Sequence, residues 1–370
     1  METMIAARAY RGAKALALES VARPQAGPDE VVIRVASAGL APGMMKLLER
    51  GRFHHLPTTP GHEFAGTVVD VGAGVDRALL GRRVRVHAIL SCGRCGYCRS
   101  DREQMCRDAA MIGHAALGDG ALALYAKYHD GGLAEYVRVP HWLVDVLPDN
   151  VSFDVGAKIH DLGNAVRALK CAALPDSGRL VITAATGTMG TASIKLARFH
   201  GARELVLVAR SAARLEALRP LAGDLPVQCL ALESLGDDWA ETGMLTKRLL
   251  EIWPEGADAV LDFFPDGPGT RQAAAALATG GALVHMGGNR TALPFTIRDI
   301  MHHCWRIVGT RSCTRRDTDA VLELLRSGQL QVDELITHRY PLSRVNDALS
   351  ASAARASSMW MTVVHPGQEQ

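Results

Sequence analysis

Four cysteines, Cys92, Cys95, Cys98 and Cys106, fall inside one short run, CGRCGYCRSDREQMC. Thiolates at this spacing close tetrahedrally round one Zn2+, and Gly93 and Gly96 allow the tight turns between ligands. With every ligand position taken by sulfur, no place is left for water or substrate, so such a metal is structural rather than catalytic. An iron–sulfur cluster or free thiols are the alternatives, and nothing else in the chain points to electron transfer. Cys171, Cys229, Cys304 and Cys313 read as small core residues.

His62 and Glu63 stand side by side in TTPGHEFAGTVVDVG, between a proline-glycine turn and an apolar strand. Two ionisable groups at the mouth of a buried strand are costly unless paired. The pair fits a metal site, an acid–base couple or an internal hydrogen bond.

A third stretch, VITAATGTMGTASIKLA, runs from an apolar strand through a turn into a helix. The turn Ala185-Thr186-Gly187-Thr188-Met189-Gly190 is G-x-G-x-x-G with alanine at its first glycine. Gly187 lets backbone amides approach a pyrophosphate, and Gly190 lets the helix pack on the strand with its positive end toward the phosphates. An acid at the end of the following strand would take the adenosine ribose of NAD; that position is Ala209, followed by Arg210 and Arg214. Loss of the acid and gain of arginines favour the 2′-phosphate of NADP(H) over NAD(H), although arginines also suit a solvated helix start.

The elements that must hold these groups divide the chain. At 370 residues it exceeds the size of one core, so two domains are expected. Residues 28–150 carry short β-branched runs broken by glycine, which predicts a β-rich first domain. From about residue 151 continuous apolar strands alternate with helices, which predicts a parallel doubly wound sheet; the tail returns to a helix and a final strand, SSMWMTVVH. A net charge of +2 gives no case for nucleic acid or an anionic membrane as partner. The amino-terminal stretch lacks a signal-peptide core and no apolar run has the length of a spanning helix, so a cytoplasmic location is expected.

In order and content these segments, together with GGLAEYVRVP, GADAVLDFF and GGALVHMGG, resemble the medium-chain dehydrogenase/reductase superfamily, which contains zinc alcohol dehydrogenases and quinone oxidoreductases. The resemblance runs from about residue 25 to the carboxy terminus. It implies an α/β protein: a GroES-like β-rich catalytic domain (1–157 and 303–370, with the zinc lobe at about 90–107) and a Rossmann doubly wound parallel sheet (158–302). The active site is then in the cleft between them. It further implies hydride transfer between NAD(P)H and a small organic carbonyl, alcohol or activated double bond, by a homodimer or homotetramer.

The resemblance breaks at the catalytic zinc. The family's histidine falls on His62 and its metal-side glutamate on Glu63, but the first cysteine ligand falls on Ala41 and the second on His160, beside Asp161. The relay Ser/Thr falls on Gly43, the usual Asp on Met44 and the relay histidine on Lys46. A catalytic zinc needs about three protein ligands. The expected site is therefore one that has lost that zinc, with Lys46, His62, Glu63, His160, Asp161 and Asn164 as its polar groups, and the expected activity is an NADPH-dependent reductase. The alternatives are an alcohol or polyol dehydrogenase whose zinc is re-ligated by His62, His160 and a carboxylate, and a non-redox protein keeping the fold. The long segment 111–132 suggests a substrate lid, with His114 and Tyr125 as candidates, or a surface for a partner subunit.

Overall fold

The computed structural model describes every residue except Met1, Asp119, Ser177, Pro294, 355–358 and 368–370. The chain forms two compact units, Met1–His160 with Cys313–Gln370, and Asp161–Ser312.

In the first unit β1 (Thr3–Arg8) and β2 (Ala17–Ala22) form an antiparallel pair. Then follow β3 (Glu30–Gly39), α1 (Pro42–Arg50), β4 (Phe64–Val71) and β5 (Arg83–Val86). A small sheet of β6 (Ile89–Leu90), β7 (Ala110–Met111) and β8 (Ala115–Ala116) brackets the cysteine run. After it come α2 (Leu122–Lys127), β9 (Tyr136–Pro140) and β10 (Val144–Val146). The long α3 (Phe153–Ala172) starts where Ser152 Oγ accepts the Val155 N–H (3.2 Å).

The second unit reads β11 (Gly178–Thr183), α4 (Thr188–Leu196), β12 (Ala202–Ala209), α5 (Ala212–Glu216), β13 (Val227–Ala231), α6 (Trp239–Thr242), α7 (Met244–Ile252), β14 (Ala257–Asp262), α8 (Gly269–Ala274), β15 (Leu277–His285), α9 (Ile297–His302) and β16 (Arg306–Gly309). The chain then returns to the first unit through α10 (Arg315–Arg326), β17 (Ile336–Pro341), α11 (Val345–Ala354) and β18 (Met361–His365).

The main sheet of the first unit has the order β10-β5-β4-β3-β18-β17, with β9 also paired to β3. Its centre is β3, where Val31, Val32, Ile33 and Val35 are buried, as a run of β-branched residues covered on both faces requires. The register Ala38↔Phe64 and the bond from Gly39 N–H to Glu63 O (2.7 Å) set Glu63 beside the end of β3. The last strand closes on the same place, with Val363 opposite Gly39.

The sheet of the second unit is parallel throughout, in the order β13-β12-β11-β14-β15-β16. Chain direction across the sheet reverses between β11 and β14, which is where doubly wound sheets place ligands, outside the carboxyl ends of the strands. The units divide at 160/161 and 312/313; the second division lies later than the expected 302/303 because β16 pairs with β15 as the sixth strand of this sheet.

Candidate active site and metal centre

The cysteine run folds on itself through turns and two short 3-10 segments, and Gly93 takes φ +68° to make the first of them. Its sulfurs stand 3.5 Å (Cys95–Cys98), 3.6 Å (Cys106–Cys92) and 3.9 Å (Cys92–Cys98) apart, and all four donors lie within 4.8 Å of one another. A tetrahedron with Zn–S bonds of about 2.3 Å has edges of about 3.8 Å, so the quartet fits one closed, four-coordinate metal ion. The Asp108 N–H points at Cys106 Sγ (3.3 Å), the kind of backbone donor that steadies a thiolate ligand. Ala88, Ile89, Ala109 and Met111 pack beneath the sulfurs.

A second polar cluster is buried in the same unit. The ring of His62 meets His114 edge-on (centroids 4.7 Å apart) and His160 edge-on (5.1 Å). Cys313 Sγ lies 3.6 Å from His160 Nδ1. On the other side of His62, the Glu63 carboxylate is 3.5 Å from Nε2 and forms an ion pair with the Lys158 ammonium. Both members of that pair are sealed from solvent. Lys158 reaches this depth because α3 is buried on nearly every face, so a lysine on it must find a charge inside the protein. Gly39 is obligatory here: a Cβ would stand 2.9 Å from Lys158 Cδ and collide with the Glu63 carboxylate.

Burial, followed by His114, His160 and Lys158, drives the His62 pKa well below the ordinary imidazole value. Burial and His54 bring His114 down to about 4. Both are therefore neutral imidazoles at neutral pH, able to donate one N–H without carrying charge. Nδ1 of His62 and Nδ1 of His114 are buried without a hydrogen-bond partner among the described residues. His114 also fills the space beside Gly43, 3.2 Å from where a side chain would begin.

The expected set of catalytic-zinc ligands is incomplete in this cluster. Ala41 offers no donor, and Glu63 is committed to Lys158. Among the described residues, the only group of three or more candidate ligands with donors within 4.8 Å of one another is the cysteine quartet.

Behind the histidines runs a charged network. Buried Arg85 pairs with Asp145 (2.5 Å), which also holds Arg315 (2.7 Å), and the Arg315 N–H donates to Glu103 (2.5 Å) beside the cysteine run. Buried His87 lies 3.7 Å from the same Glu103 carboxylate. These pairs tie the metal lobe to the start of α10 and to β10.

In the second unit the turn Ala185–Gly190 leaves the carboxyl end of β11 and opens α4, whose first residue is Thr188 and whose N-cap, Gly187, has no capping side chain. A helix start of this kind, with its positive end exposed, can receive an anion. A Cβ on Gly190 would come within 2.5 Å of Ala185 Cα, so only glycine lets helix and strand approach this closely. Ala184 enters the turn at φ +46°, a strained conformation for alanine. Ala209 is buried at the end of β12, with Arg210 exposed beyond it and Arg214 on α5.

Residues 27–149 match the alcohol dehydrogenase GroES-like domain and residues 188–327 the zinc-binding dehydrogenase domain. The chain belongs to the medium-chain dehydrogenase/reductase superfamily. It is an oxidoreductase, with the GroES-like and Rossmann units of that superfamily. An L-threonine 3-dehydrogenase of Saccharopolyspora erythraea is 27% identical over 346 residues, covering 92% of this chain and 94% of the relative. A solved zinc-binding dehydrogenase of Sinorhizobium meliloti 1021, bound to NADP, superposes with a TM-score of 0.83 at 24% identity over 99% of this chain and 100% of that one. An Escherichia coli oxidoreductase/dehydrogenase of unknown specificity gives 0.84 at 21%, with 99% and 100% coverage.

Within this oxidoreductase, the structure brings together His62, Glu63 and His160 of the expected polar groups. Asp161 is buried and Asn164 half-buried on α3, and the Asn164 Oδ1 has no hydrogen-bond partner among the described residues. Lys46 is exposed on α1 and shares none of the contacts above. Two expectations need correcting. Tyr125 is not part of a lid: it is 1% exposed within the core of the first unit, its hydroxyl donating to His114 O (3.1 Å), because α2 packs its apolar side on β7 and β8. Cys304 is not a core residue but exposed, at the end of the surface helix α9, and Cys171 and Cys229 are half-buried; Cys313 alone of these four is buried. Sequence reasoning missed Lys158, Cys313 and His87. For Lys158 a signal existed: the stretch around it has no polar stripe, so its lysine had no solvent face to occupy.

Proposed function

We propose that this enzyme is an NADPH-dependent reductase without a catalytic zinc, passing hydride to a carbonyl or an activated carbon–carbon double bond of a small organic molecule. The observation that carries the reading is the Lys158–Glu63 ion pair: the carboxylate that would face a metal is neutralised by an internal cation, next to an alanine where a ligand would be. Ala209 in place of an acid, with Arg210 exposed after it, supports the 2′-phosphate. The dinucleotide supplies the hydride when bound at the Ala185–Gly190 turn. The chain's own part is to polarise the acceptor: neutral His62 and His114 donate hydrogen bonds to the oxygen on which negative charge grows, in a setting with little competing water. His160, next to Cys313, stands one ring further back as a proton reserve.

The cysteine quartet would hold a structural Zn2+. We further place the enzyme in the cytoplasm, as a homo-oligomer. β16 is an open sheet edge in the second unit, and Ile297 (86% exposed) and Met301 (70%) on α9 are apolar groups that a second copy would cover. Among the described residues no helix is long and apolar enough to cross a membrane.

An alcohol or polyol dehydrogenase with zinc re-ligated by His62, His160 and a carboxylate is the competing reading, favoured by the likeness to L-threonine 3-dehydrogenase. Metal analysis of the purified, cofactor-bound protein separates the two: about one zinc per chain is expected, and about two would overturn the zinc-free reading. Titration with NADPH and NADH tests the cofactor; tighter binding of NADH would overturn that half.

A further inference from the structure

The second unit contains a buried polar network that none of the roles above uses. Asp262, the last residue of β14, is fully buried. Its Oδ1 accepts the Thr183 hydroxyl (2.6 Å) from the end of β11, and its Oδ2 accepts the Thr270 hydroxyl (2.7 Å) and His285 Nδ1 (2.6 Å) from the end of β15. His285 Nε2 in turn accepts two backbone N–H groups, those of Gly288 (2.9 Å) and Asn289 (3.1 Å). An imidazole nitrogen that takes two N–H donors carries a lone pair, so the proton is on Nδ1, where the buried carboxylate holds it.

The network spans the switch point of the sheet. Thr183 and Asp262 end the two strands between which chain direction reverses. The loop after β15 is bound at both ends: Met286 N–H donates to Asp262 O (3.0 Å), and the Asn289 amide donates to Gly267 O (2.8 Å) and to the Thr270 hydroxyl (2.9 Å). It is also pressed on the loop after β14, since a Cβ on Gly287 would stand 2.6 Å from Phe263 C. With its N–H groups drawn inward, the carbonyls of Met286, Gly287 and Gly288 take no hydrogen bond from any described residue. A dinucleotide whose adenosine ribose sits at the end of β12 lies with its other half across the switch point, over the ends of β14 and β15. The carboxamide of a nicotinamide has two N–H donors, suited to such carbonyls.

We propose that His285, oriented by Asp262, is the positioning residue for the nicotinamide half of the cofactor: it fixes the loop 286–291 in the shape that receives that half. This rests on the nicotinamide-dependent reading above, but not on which adenosine ribose the enzyme prefers. The imidazole acts through the loop's backbone rather than by touching the cofactor.

The test compares a whole dinucleotide with a fragment that lacks nicotinamide. In the full-length protein, His285→Ala removes the acceptor shared by two N–H groups and is expected to weaken NADPH binding about tenfold, while 2′,5′-ADP binding stays within about twofold. His285→Gln places an amide oxygen near the lost Nε2 and is expected to recover most of the NADPH affinity, which a residue serving only to fill space would not do. Equal weakening of both probes, or no change in either, overturns the proposal. If His285→Ala fails to fold, His285→Gln and Asp262→Asn carry the same two-probe comparison, and loss confined to NADPH is again the required result. If the wild-type protein prefers NADH, the 2′-phosphate reading fails, and the comparison is run with NADH and ADP with the same criterion.

Discussion

The ammonium of Lys158 and the carboxylate of Glu63 form an ion pair closed off from solvent, next to Gly39 and one residue from His62. Such a pair is weak evidence of net stabilisation, but breaking it from one side leaves a charge uncompensated. Lys158→Met is expected to destabilise the first unit by about 3–5 kcal/mol, and adding Glu63→Gln should recover much of the loss. Denaturant unfolding of both single variants and the double variant measures the coupling. Additive losses would mean that the two groups do not act as a pair.

Acid should destabilise the protein earlier than carboxylate chemistry alone requires. His114 titrates near 4 in the folded chain, and His62 and His87 are also held down by burial. Once unfolded, their imidazoles take protons near pH 6.5, so between about 6.5 and 4 the unfolded chain binds protons that the folded chain refuses. Stability therefore falls as pH falls across that window. A melting temperature that is flat or rising from pH 7 to pH 4.5 would contradict this, and His114→Asn should reduce the slope.

The cysteine quartet predicts a metal that is independent of catalysis. Cys106 is the buried member, and Cys106→Ser should lower bound zinc from about one per chain to near zero and loosen residues 90–107. Metal content and hydrogen exchange of that segment measure both effects. Loss of zinc with an unchanged exchange pattern would show that the lobe holds itself without the ion.

Cofactor preference should turn on one position. Ala209→Asp restores an acid at the end of β12 and is expected to shift the NADPH-to-NADH affinity ratio toward NADH by about tenfold or more, through repulsion of the 2′-phosphate and a bond to the free ribose hydroxyl. Fluorescence titration with both nucleotides reads the ratio directly. A ratio that does not move would place the ribose away from this strand end.

Much of the architecture was readable from the chain because it is written in neighbouring residues. The cysteine quartet occupies one turn-rich run, and the Ala185–Gly190 turn joins one strand to one helix. Continuous apolar strands alternating with helices anticipate the parallel sheet from β11 onward. Position Ala41, empty of a donor, was equally plain in the sequence. The boundary near residue 303 was less so, because β16, RIVG, is too short and too exposed to announce itself as part of a sheet.

Neighbouring residues therefore suffice for the chemistry that short-range backbone geometry can assemble: a cysteine cluster, a glycine turn at a helix start, and the order of strands and helices. Which distant side chains share a buried space depends instead on the folded chain. Lys158 meets Glu63 across 95 residues and Cys313 meets His160 across 153. His114 joins His62 from a segment that reads as a surface loop, and His285 turns inward to Asp262 at the switch point. Each of these partners depends on strand register and chain return, which fix distances that no local pattern encodes. Once water is excluded, those distances set the charge of every group in the site.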